Sequence, residues 1–106
     1  MDYKLTAPEP RAIHSRLKAS AKKRGISFDL KITDLYEISY PITCPILGMP
    51  LRWNIGKPKD NSYSFDRIDS LEGYHIENLQ VISFKANRAK NDLTEDEIKK
   101  FCAFYG

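Results

Sequence analysis

Apolar residues recur at four-residue spacing between Pro10 and Arg24, where Ile13, Leu17 and Ala21 form one stripe and basic side chains fill the rest. That pattern predicts a helix, with Gly25 as its stop. Ile26, Phe28 and Leu30 then alternate with polar residues, as in a short strand or extended piece. Thr33 is the expected cap of a second short helix carrying Leu35, Tyr36 and Ile38, ended by Pro41. Cys44 to Gly48 reads as a tight loop, Leu51 to Ile55 as a strand, and Gly56 to Ser62 as an exposed polar loop. Ser64 to Ile68 predicts a strand leading to a turn at Gly73, and Leu79 to Ile82 a second strand. Ser83 is placed to cap a helix that runs to about Lys90. Thr94 and Glu97 form a capping box, after which Ile98, Phe101, Cys102 and Tyr105 share one face and are expected in the core.

A chain of 106 residues allows one domain with a modest core. Its hydrophobic content of 42% argues against disorder along the whole length. No apolar run is long enough to cross a bilayer, and the N-terminal stretch lacks the apolar centre of a signal peptide, so the cytoplasm is the expected compartment. Two cysteines, Cys44 and Cys102, cannot form an all-cysteine zinc site and would stay reduced there.

Charge is segregated along the chain. Arg11, Arg16, Lys18, Lys22, Lys23 and Arg24 occupy the first helix with no acid among them. Lys85, Arg88 and Lys90 form a second cluster, whereas Asp92, Glu95, Asp96 and Glu97 gather after it. One such cluster is as readily a solvated helix face. Two flanking a common segment point to a polyanion such as nucleic acid.

That segment, Ser64-Phe-Asp-Arg-Ile-Asp continuing through Gly73-Tyr-His-Ile-Glu-Asn78-Leu-Gln-Val-Ile to Asn87-Arg-Ala-Lys90, resembles the HNH, or strand–strand–helix metal, endonuclease family. The resemblance runs from about Gly25 to Lys90, with the core motif at about 44–91. It is closest to small phage-associated members that carry Asp-Arg where others carry Asp-His. It implies an α+β fold: a ββα-metal module flanked by the basic N-terminal helix and the capped C-terminal helix. It further implies Asp66 and Asn87 as ligands of one divalent ion, magnesium or manganese in view of their hard oxygens. Asn78 would fix the intervening loop, Asp69 is a spare carboxylate, and Lys18, Lys22, Lys23, Arg24, Lys85, Arg88 and Lys90 would meet phosphates.

Two departures matter. Many relatives brace the module with two CxxC pairs that hold zinc. Here the four positions are Cys44, Leu47, Ser83 and Ala86, so no structural zinc is expected and packing of Leu47 and Ala86 is expected to replace it. The family's general-base histidine position holds Arg67, which stays protonated and cannot accept a proton. Three readings follow. His75 substitutes as the base, or a metal-bound water reacts without one while Arg67 clamps the phosphate. In the third, catalysis has been lost and binding kept.

The function implied is therefore a metal-dependent endonuclease or nickase hydrolysing DNA, with RNA as the other substrate. Cutting both strands would take a homodimer or successive nicks. The alternatives are a silent nucleic-acid-binding module and a phage-encoded inhibitor that binds a host protein, for which the cytoplasm would be the host's. Of the remaining candidates, His14 reads as a surface histidine, Trp53 as packing, Tyr74 as a loop anchor, and Phe101 with Tyr105 as core.

Overall fold

Strands β1 (Tyr63–Arg67) and β2 (Leu79–Ser83) pair antiparallel at the centre of the computed structural model, which describes residues 9–54, 56–91 and 93–106. Residues 1–8, considered above for a signal segment, lie outside the described residues. So do Ile55 of the expected strand and Asp92 of the acidic group. Helices α1 (Pro10–Arg24), α2 (Ile32–Glu37), α3 (Phe84–Lys90) and α4 (Glu95–Tyr105) complete an α+β arrangement. Among the described residues no helix is long and apolar enough to cross a membrane.

Helix α1 occupies the expected range. Gly25 ends it in the left-handed region at φ 69°, which a side chain would disfavour. Ile13 and Ala21 of its stripe are buried and Leu17 packs against the core, leaving the basic side chains outside. The segment after it forms one isolated bridge, Phe28 to Tyr74, and buries Leu30 in the core. Helix α2 starts earlier than expected. Its cap is Lys31 and not Thr33, because the Asp34 carboxylate reaches back to the Lys31 N–H at 2.8 Å and fixes the first turn there.

Leu51 is buried as expected, but its segment is not a strand. Leu51 N–H bonds to Ile42 and Arg52 N–H to Asn61, so the chain divides its hydrogen bonds between two neighbours and builds no ladder. An aromatic group sets its path. The Tyr40 ring meets Trp53, Tyr63 and Phe65 edge-on, and Trp53 stacks on Tyr63 with centroids 4.3 Å apart. The Tyr40 hydroxyl donates to Leu35 O, and burial pushes its pKa up to about 12.

Ser83 ends β2 and caps α3 through its hydroxyl, which accepts from Ala86 N–H. Helix α3 packs on both strands. Of Leu47 and Ala86, both expected to pack, only one does so. Ala86 is buried, but Leu47 is 49% exposed and contributes its backbone instead: Leu47 and Ser83 N–H groups both donate to Cys44 Sγ at 3.4 Å.

Burial raises the Cys44 pKa, but the Ser83 hydroxyl and the amides of Leu47, Ser83 and Ile46 lower it further, to about 7. The thiolate's contribution to stability is thus present above the ordinary value near 9 and lost as pH falls through about 7. Because Cys44 is 2% exposed while Cys102 is exposed, native protein should release colour from an aromatic disulfide reagent at one thiol, and denatured protein at both. Equal native rates at the two thiols would contradict this packing.

The capping box of α4 forms as expected, yet the helix does not carry its apolar face into the core. Phe101 is 58% exposed, Tyr105 75%, and Cys102 also lies at the surface. Only Ile98 is half-buried on that face. Asn91, at φ 48°, turns the chain away after α3, and the α4 aromatic rings meet each other instead of the sheet. Periodicity identifies residues that share a face, but it does not supply that face with a partner.

Candidate functional site

Alternation along β1 puts Ser64 and Asp66 on the side covered by α3. Asn87 and Lys90, three residues apart on α3, both point down onto that side. Asn87 Nδ2 donates to Ser64 Oγ at 2.7 Å and to Phe65 O at 3.3 Å. With its amide nitrogen held by β1, Asn87 has only Oδ1 left to offer a ligand. Asp66 is 6% exposed. Its Oδ2 accepts from Lys90 Nζ at 2.7 Å and from Gln80 Nε2 at 2.8 Å, Gln80 being its cross-strand partner. Oδ1 takes no hydrogen bond among the described residues.

The loop between the strands is held by two side chains. Asn78 accepts from Asp69 N–H through Oδ1 and donates through Nδ2 to Asp69 O and Gly73 O, so one amide spans the loop. Asp69 turns its carboxylate to Leu71 N–H, a local turn contact. Arg67 donates from one Nη to Ser70 O and Glu72 O, and its guanidinium stands 5.5 Å from the Tyr74 ring centroid. Its remaining N–H groups have no partner among the described residues.

These residues meet in a polar recess of about 110 Å³ lined by Arg24, Phe65, Asp66, Arg67, Tyr74, Asn87 and Asn91. Four of the residues proposed from sequence, Arg24, Asp66, Arg67 and Asn87, are brought together there. His75 is not among the lining residues. Its Nδ1 lies 2.9 Å from Asp29 Oδ1, on the segment that follows α1, so the substitute-base reading has no geometric support in this arrangement. Lys90 also departs from its expected place. It is 10% exposed and tied to Asp66, Arg67 O and Ile68 O, so it positions the carboxylate and does not face a phosphate.

Arg24 brings the basic helix to the recess, an approach that no sequence spacing announced. Among the described residues Asp66 is the one acid lining it, and its charge is answered by Lys90, so Arg24 and Arg67 make the surroundings favour an anion. Lys18, Lys22, Lys23 and Lys85 are exposed. Arg88 pairs with Asp60 at 3.3 Å with both side chains well exposed, a contact that a phosphate could replace at little cost.

Among the described residues no three His, Cys, Asp or Glu side chains gather as a metal cage. Magnesium does not need one, since it is held by one or two carboxylates with waters and substrate phosphates. Asp66 Oδ1 and Asn87 Oδ1 are the hard oxygens left without a hydrogen bond among the described residues, while Lys90 holds the other oxygen of Asp66. Comparison with protein-family models, curated proteins and solved structures finds no match.

Proposed function

We propose that this chain is a nucleic-acid-processing module of the strand–strand–helix nuclease type, a metal-dependent endonuclease or nickase that hydrolyses DNA phosphodiesters. The observation that carries the proposal is the recess itself, where a strand end, a helix and a clamped loop bring Asp66, Asn87 and Arg67 to one cationic, phosphate-sized place. Asp66 and Asn87 would hold the ion through their free oxygens. When bound, the ion stabilises charge on the phosphate and the leaving oxygen. The free N–H groups of Arg67 and the guanidinium of Arg24 bind the non-bridging oxygens. No imidazole reaches the recess, which favours the mechanism without a side-chain base over one that uses His75.

The hold of Lys90 on Asp66 favours a second reading, in which the recess binds a phosphate but no metal and the module is silent. Supercoiled-plasmid nicking separates the two. The proposal expects nicking in Mg²⁺ or Mn²⁺ that is abolished by Asp66→Ala, strongly reduced by Asn87→Ala and retained by His75→Ala. Salt-sensitive DNA binding with no cleavage of plasmid, single-stranded or branched DNA in either metal would replace it with the silent module. Absence of binding as well would leave the protein-inhibitor alternative.

A further inference from the structure

A second cleft, of about 330 Å³, opens between α1, the 52–58 loop and β1. It lies within the size range of small-ligand sites. Phe65 belongs to its wall and to that of the recess, so the two are neighbours along β1. Arg16 and Arg52 line it, and neither has an ion-pair partner among the described residues.

The stacked pair Trp53 and Tyr63 forms another part of the wall. Trp53 Nε1 and the Tyr63 hydroxyl are shielded from water, and neither has a hydrogen-bond partner among the described residues. Buried polar groups are nearly always paired, so these two donors gain partners only if the wall moves to admit a ligand. Asn54, also in the wall, spends its amide nitrogen on Asn61 Oδ1 and Ser62 Oγ and keeps its own carbonyl oxygen uncommitted.

We propose that this cleft binds a single nucleotide, its base against Trp53 and Tyr63 and its phosphate between Arg16 and Arg52. Aromatic walls suit any base, and paired guanidiniums suit a phosphate. The proposal deepens the nucleic-acid reading above and rests on it for one of two sources. The nucleotide either belongs to a strand whose neighbouring phosphate occupies the recess, or it is free in solution.

Trp53 is the only tryptophan in the chain, so its emission reports directly on the cleft. The test titrates end-labelled decathymidylate and, separately, thymidine monophosphate into the full chain in EDTA. Oligomer anisotropy and Trp53 emission are read together. The expected result is a change in emission that saturates with anisotropy. Arg16→Ala and Arg52→Ala, both surface changes, should each weaken oligomer binding about fivefold and reduce the salt slope by about one. Emission that responds only to the oligomer assigns the cleft to a strand. Emission that responds to the monophosphate, with no oligomer binding, keeps the cleft for a free nucleotide and removes its link to a bound strand. Oligomer binding that leaves Trp53 emission and both variants unchanged overturns the cleft proposal alone. No response to either ligand overturns the cleft proposal, while plasmid nicking in Mg²⁺ or Mn²⁺ separately decides the nuclease reading.

Discussion

Replacing Lys90 by alanine should cost roughly 3 kcal/mol of stability, because it strands the Asp66 carboxylate in a site that is 6% exposed. In a domain of this size that corresponds to a fall in Tm on the order of 15 °C. The ammonium also bonds the carbonyls of Arg67 and Ile68, so the end of β1 and the start of the loop lose their tether together. Asp66→Asn in the Lys90→Ala background should recover part of the loss, since the amide carries no charge to strand, and Gln80 Nε2 still finds an oxygen there. Urea denaturation of wild type, both single variants and the double variant gives the coupling directly. If the two substitutions simply add, the pair is not a unit and the central role given to Lys90 is wrong. Metal bears on the same experiment. If Asp66 takes a divalent ion, magnesium should stabilise Lys90→Ala more than it stabilises wild type, because a second cation then answers the same carboxylate.

The sequence carried much of this site because its key spacings are local. The family resemblance named all three together: Asp66 lies in an alternating strand, Asn78 directly precedes β2, and Asn87 follows it at one fixed step along a strand and a helix. Ser83 and the Thr94 capping box were equally legible, since a cap is decided within one turn. The residues that complete the site depend on longer-range facts. Gln80 meets Asp66 only through the strand register. Lys90 looked like a phosphate contact because its cluster is basic. Its position three residues after Asn87 was the available signal that it shares the face toward β1. Arg24 arrives from the far end of α1, and nothing in its neighbours encodes that meeting. Misplacing α4 in the core has the same origin, because amphipathic spacing fixes a face while the turn at Asn91 fixes where that face goes.

Gly73→Ala should destabilise the protein by about 2–3 kcal/mol, since a Cβ there cannot be accommodated without moving backbone. The position is not one of unusual φ. The constraint is a close approach, with the added carbon 2.0 Å from Ser27 Oγ and 2.5 Å from Ser27 O. Ser27 O also accepts the Tyr74 N–H at 2.9 Å, and Asp29 N–H donates to Tyr74 O at 3.0 Å, so this close approach joins the segment after α1 to the clamped loop. Removing the Ser27 hydroxyl tests which contact matters. Ser27→Gly clears the nearer atom but leaves the carbonyl, and the Gly73→Ala, Ser27→Gly pair should therefore regain only a small part of the loss. Full rescue would mean that the hydroxyl alone sets the clash and that the backbone junction is looser than described. The same substitution should reach the recess, because Gly73 O is one of the acceptors of Asn78 and Tyr74 lines the recess beneath Arg67. DNA binding by Gly73→Ala, measured well below its midpoint of unfolding, is expected to weaken. An unchanged affinity at full folding would show that the loop junction supports the fold without setting the geometry of the phosphate site.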